Sequence, residues 1–84
     1  MNSKHKRTLV SVFKDPVAVS IVWADIESLL VAIGAEIVEG KGSRVRFHQD
    51  GVIATFHRPH PHKEAKPYQV KDARIFLRQL GVEP

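Results

Sequence analysis

Cysteine is absent from this 84-residue chain, so neither a disulfide framework nor thiolate ligation of zinc is available, and packing and secondary structure alone must hold the fold. Long apolar runs are missing as well. The longest, from Val17 to Trp23, is broken by Ser20 and falls far short of the roughly 20 residues needed to span a bilayer. The N-terminus has no apolar core of a signal peptide, which points to a cytoplasmic protein with no membrane attachment. With only five glycines and five prolines, 43% hydrophobic and 26% charged residues, the composition excludes fibrous and disordered classes. The length suits one small domain over residues 1–84, with 1–19 as an N-terminal extension and 20–84 as the core, and leaves no room for a second catalytic unit. What the chain has in excess is positive charge. Thirteen Lys/Arg against nine Asp/Glu give +4, which favours a polyanionic partner.

The hydrophobic pattern predicts a short first helix over Lys4–Phe13, capped by Ser3 and ended by Asp15-Pro16. Residues Val17–Ile21 are β-branched but read as a connector. From Val22 to Ile33, apolar residues Val22, Ile26, Leu29, Leu30 and Ile33 follow the helical period, and Gly34 sits where a left-handed cap is wanted. The period then changes to two. Ala35–Glu39 and Ser43–His48 read as strands around a Gly40-Lys-Gly42 turn, and a third strand follows Asp50-Gly51, a two-residue hairpin signal. That turn fixes the register: Arg44 opposite His57, Val45 opposite Phe56, Arg46 opposite Thr55 and Phe47 opposite Ala54. Val45, Phe47, Ala54 and Phe56 then face the core, and Arg44, Arg46, His48, Thr55 and His57 form a cationic outer face. Pro59 and Pro61 end the strand near Arg58 and leave His60 and His62 in a loop. A last helix spans Tyr68–Leu80, with Lys71, Arg74 and Arg78 as an outward stripe, and Gly81 ends it. The expected fold is a two-layer α+β domain, α-β-β-β-α after the short N-terminal helix, with a three-stranded antiparallel sheet and its helices on one face.

Several chemistries can be excluded from residue types and spacing. His57, His60 and His62 offer three zinc ligands, but one stands on a strand and two ride a proline-stiffened loop, so no metal site is expected. No serine sits in a nucleophile elbow, and Gly40-Lys-Gly-Ser43 is too short and leads into a strand, which excludes a phosphate-cradling P-loop. No cofactor is expected. RNA cleavage needs less machinery, because the 2′-hydroxyl of the substrate is the nucleophile once a base takes its proton and cations steady the charged phosphorane. The pair Arg44 and His57 supplies a titratable imidazole beside a guanidinium that binds phosphate bidentately. The alternative on the same residues is plain polar surface.

The runs Trp23-Ala-Asp-Ile-Glu-Ser-Leu-Leu30, Gly34-Ala-Glu36, Gly42-Ser-Arg-Val-Arg-Phe47, Phe56-His-Arg-Pro-His-Pro-His-Lys-Glu64 and Phe76-Leu-Arg-Gln-Leu-Gly-Val82, with Val70 between the last two, resemble the HicA family of toxins from bacterial toxin–antitoxin pairs. The resemblance covers about residues 20–84. It implies a double-stranded-RNA-binding-domain-like fold and an endoribonuclease that cleaves mRNA, stops translation and growth, and is neutralised by a HicB-like antitoxin. Many members carry a catalytic histidine directly after the Gly-Ser that opens the second strand, where this chain has Arg44. His57, across from Arg44, becomes the candidate acid/base, with Arg44, Arg46, Arg58, His60 and Lys63 as RNA contacts. A non-catalytic RNA-binding module and a protein-interaction domain are the rival expectations.

Overall fold

Elements form where the two hydrophobic periods predict them. The computed structural model describes all 84 residues and contains α1 (Ser3–Val12), α2 (Trp23–Ala32), β1 (Glu36–Glu39), β2 (Arg44–Gln49), β3 (Val52–His57) and α3 (Pro67–Gln79). The cap of α1 differs from expectation. Asn2, not Ser3, precedes the helix in extended conformation, and its Oδ1 accepts the His5 N–H at 2.8 Å. Asn and Ser cap about equally well, so the residue one step upstream takes the role and Ser3 becomes the first helical position. Gly34, at φ 108°, ends α2 as its position implied, and the Gln49 side chain donates to the Ile33 carbonyl at 2.7 Å. Residues 17–21 form no regular element, but their end is anchored. The Ala65 N–H donates to Ile21 O at 2.8 Å and the Trp23 N–H to Lys63 O at 2.9 Å.

The sheet has the order β1-β2-β3, antiparallel throughout. Asp50 and Gly51 both take positive φ, 51° and 79°, as a type I′ turn requires, and the register that follows is the one the turn length dictates: Arg44 opposite His57, Val45 opposite Phe56, Arg46 opposite Thr55. Val45, Phe47 and Phe56 are buried while Arg44, Arg46, Thr55 and His57 are exposed, and Ala54 and His48 are half-buried, so the period of two separates the faces, most sharply at Arg44–Phe47 and Thr55–His57. On the inner face Trp23, Phe47 and Phe56 make a tilted aromatic group, with centroids 5.0 Å apart for Trp23–Phe56 and 5.7 Å for Phe47–Phe56. Each such pair adds roughly 0.5–1.5 kcal/mol beyond the area it buries. Ile26, Leu29 and Leu30 of α2 and Val70, Ala73, Phe76 and Leu77 of α3 complete one core cluster.

The first helix packs against α2 and α3 rather than the sheet, and its Leu9 and Val12 join the same core. This changes the reading of the α3 stripe. Arg74 does not simply face solvent: its Nε donates to Val12 O at 2.9 Å and its Nη2 to Lys14 O at 2.8 Å, while the Arg74 and Arg78 guanidiniums lie 5.9 and 5.3 Å from the Phe13 ring centroid. The last carbonyls of a helix have no partner within it, and a cation at that end also suits the helix dipole. Periodicity within α3 alone carries no sign of the neighbour that uses it.

Candidate functional site

The candidate face is the outer side of the sheet, which no helix covers. Arg44 and His57 are direct partners in the antiparallel ladder and Arg46 pairs with Thr55 on the same side. Residues opposite one another have Cβ atoms about 4.5–5.5 Å apart, so the two side chains leave the same side of the sheet as neighbours. Arg44 is further arranged by Gly40. A Cβ at position 40 would stand 3.1–3.2 Å from Cβ, Cγ and Cδ of Arg44, so the arginine's aliphatic stem lies against the bare glycine backbone, whose N–H also donates to Arg44 O at 2.9 Å. Gly40 was legible in the sequence only as a turn residue.

The strand end that carries His57 is fastened from behind. Gln69, 2% exposed, donates through Nε2 to the His57 carbonyl at 2.6 Å and accepts the Lys66 N–H through Oε1 at 3.0 Å. One amide side chain thus closes the start of α3 and fixes the main chain at His57. Nothing in the sequence distinguished Gln69, since a glutamine at the start of a helix is ordinarily read as solvated. The adjacent Arg58 N–H continues the ladder to Ser43 O at 2.9 Å.

The structure separates the remaining candidates. Arg58 is withdrawn from the open face: its Nε and Nη2 meet Glu27 at 2.9 and 3.2 Å, and its Nη1 and Nη2 meet Glu39 at 2.7 and 2.9 Å. Those contacts use four of the five N–H donors a guanidinium has, so in this arrangement Arg58 is a strap between α2 and β1 and not a free phosphate ligand. Hydrogen bonds from Arg58 hold the Glu39 carboxyl below its ordinary range, and the two carboxylates raise Arg58 further into the charged form. Trp23 Nε1 donates to Glu27 at 3.0 Å and ties the same network to the aromatic core. His60 and Lys63 stand on the exposed loop after β3. His57, His60 and His62 do not converge, and no three histidines or carboxylates come together as metal ligands.

A second imidazole shares the sheet face. His48 lies between Glu36 and Ile53 in the ladder, and its Nε2 is shielded from solvent without a hydrogen-bond partner. Its partner Ile53 is four residues from His57 along β3, roughly 13 Å at the strand rise, so the two histidines cannot serve one phosphate. The face is also open rather than concave. The largest depression, about 660 Å³, lies elsewhere and is lined by residues including His5, Trp23, Glu27 and Val31; none of Arg44, Arg46 or His57 contributes to it. A flat cationic face suits an extended polyanion better than a small molecule that must be enclosed.

Fold and face together define a small α+β domain whose sheet presents an uncovered side carrying Arg44, Arg46 and His57. A family model described as the HicA toxin of bacterial toxin–antitoxin systems matches residues 23–82, and the chain belongs to that family. The match runs from the first residue of α2 to just beyond α3 and leaves α1 outside. Membership implies a cognate antitoxin. No curated protein and no solved structure gives a significant match. No helix is long and apolar enough to cross a membrane.

Proposed function

We propose that this HicA toxin is a metal-independent endoribonuclease that cleaves mRNA in the cytoplasm and so stops translation and growth. The observation that carries the reading is the pairing of His57 with Arg44 on the uncovered sheet face, in a chain of a toxin family. His57 takes the proton of a 2′-hydroxyl as its oxygen bonds to the adjacent phosphorus. The bond to the 5′-oxygen breaks, that oxygen is protonated by water, and a cyclic phosphate and a 5′-hydroxyl end are left. Arg44 and Arg46 offset the charge that builds on the phosphorane, and a positioned acid/base of this kind contributes typically 10²–10⁴-fold. His60 and Lys63 extend the RNA contacts along the loop. A HicB-like antitoxin neutralises the protein by laying acidic side chains over Arg44, Arg46 and His57, a cover that also excludes RNA.

The test is incubation of purified protein with mixed RNA, with and without EDTA. New fragments with 5′-hydroxyl ends in both arms are expected. RNA that is retarded but intact would support a non-catalytic binding module, the reading favoured by arginine at the position where the family resemblance calls for histidine. Absence of any salt-dependent RNA affinity would leave a protein-interaction domain.

A further inference from the structure

The first fourteen residues hold Lys4, Lys6, Arg7 and Lys14 and no acidic residue, whereas from Asp15 onward the Lys/Arg and Asp/Glu are equal in number. Residues 1–14, on α1 and its flanks, thus carry +4 and lie outside the segment that the family model matches, whereas residues 23–82 hold nine Lys/Arg against seven Asp/Glu. Lys4 is spent on Asp25, at 3.2 Å. Lys6, Arg7 and Lys14 have no carboxylate in ion-pair contact. With Val10 and Ser11 they line one shallow depression of about 350 Å³ along the outer side of the helix, and the exposed Lys71 and Arg78 of α3 lie on the stripe that Arg74 joins to the end of α1.

This arrangement works against the helix itself. The first turn has no acidic residue and carries cations where the dipole is already positive, and Lys4 and Arg7 are like charges three residues apart. An ordinary solvated helix would intersperse acids. We infer that the outer face of α1 is a second RNA-binding surface, at which Lys6, Arg7 and Lys14 take phosphates of a single strand. RNA rather than an acidic protein is the occupant because Val10 is the only apolar side chain in the depression. Protein interfaces centre on buried apolar or aromatic anchors, whereas phosphate contacts need only spaced cations and hydroxyl donors such as Ser11. The ribonuclease reading enters this inference only through the identity of the polyanion.

The test uses the full chain and a single-stranded oligonucleotide with 2′-O-methyl groups, which cannot supply the nucleophile and stays intact. Affinity is measured between 50 and 200 mM salt, for the wild type and for a Lys6→Gln, Arg7→Gln, Lys14→Gln variant. The variant should bind roughly tenfold or more weakly at low salt, with a log–log salt slope shallower by about 2, since each single-strand phosphate contact is worth about 0.7. A second variant, Val10→Arg, should bind more tightly and steepen the slope by about 0.7. Circular dichroism should show both variants folded, since all the positions are exposed and glutamine is a good helix former. Unchanged slopes in both variants overturn the inference and leave the ribonuclease reading standing, as does intact RNA binding with loss of antitoxin copurification, which would assign the face to a protein. A wild type that ignores RNA removes both.

Discussion

The two faces of the β2–β3 hairpin share the same backbone and turn, yet one carries the fold and the other the candidate chemistry. Val45, Phe47 and Phe56 are 0%, 0% and 3% exposed, while Arg44, Arg46, Thr55 and His57 stand in solvent. Because a strand turns each successive side chain to the opposite side, Phe56 and His57 are neighbours in the chain and belong to different problems. A single two-residue turn decides which residue has which role: a slip of one position would bury His57 and expose Phe56.

The largest effect should come from the inner face. Phe56→Ala removes a ring that packs on both Trp23 and Phe47, and the loss of a buried phenylalanine costs about 3–5 kcal/mol, a large share of the 5–15 kcal/mol typical of a domain. Urea denaturation followed by circular dichroism should show a variant that is largely unfolded or has a greatly lowered midpoint, with any RNA activity lost along with the fold. Gln69→Leu is expected next in size. It leaves the His57 carbonyl and the Lys66 N–H without their partner, and each unsatisfied group costs about 1–3 kcal/mol where it is shielded from water. A midpoint equal to the wild type's would show that water replaces the amide fully and that the strand end needs no fastening.

The distinction between the faces was legible because it rests on local chemistry. Asp50-Gly51 names its own turn type, and alternation of Val45, Phe47 and Phe56 with Arg44, Arg46 and His57 names the sides. The helix period of α2 and its Gly34 cap were equally open to reading. Less was visible where a side chain's role depends on a partner distant in sequence. Arg58 looks in the sequence like one more cation beside His57, but Glu27 and Glu39 lie 31 and 19 residues away. Arg74 and Gln69 were hidden for the same reason: the carbonyls of Val12 and His57 that they serve are exposed only when elements meet. Main-chain acceptors carry no residue identity, so no pattern announces them.

On the outer face, His57→Ala should be nearly silent in stability, within about 0.5 kcal/mol, because the side chain is exposed and away from the core. On the proposed chemistry it should lower RNA cleavage by a factor of about 10² or more and abolish growth arrest on induction. The decisive measurement pairs a cleavage rate with a denaturation midpoint for this variant and for Phe56→Ala. Loss of activity with an unchanged midpoint separates the faces, whereas growth arrest at wild-type strength would exclude His57 as the acid/base and turn attention to His60, His62 or a mechanism without histidine.

The smallest expected effect tests a residue that stands at the border of the comparison. Glu39 lies opposite Val45 and so on the helix side of the sheet, although its side chain is well exposed. Its carboxyl titrates below the ordinary range in the folded state because Arg58 donates hydrogen bonds to it and places a positive charge beside it. Between the two protonation points the unfolded chain binds more protons than the folded one, so stability rises with pH there. The contribution is complete above the unfolded glutamate value of about 4.3 and is lost as pH falls through the lower folded value. Wild type should therefore lose stability on acidification from pH 5 toward pH 3, and Glu39→Gln should lose less over the same interval. Salt should reduce the difference, since the pair is exposed to screening. Cleavage measured at neutral pH should be the same in both proteins, because the contact belongs to the strap and not to the open face; equal acid sensitivity of the two would show that the Arg58–Glu39 contact adds nothing to the strap that Glu27 does not already provide.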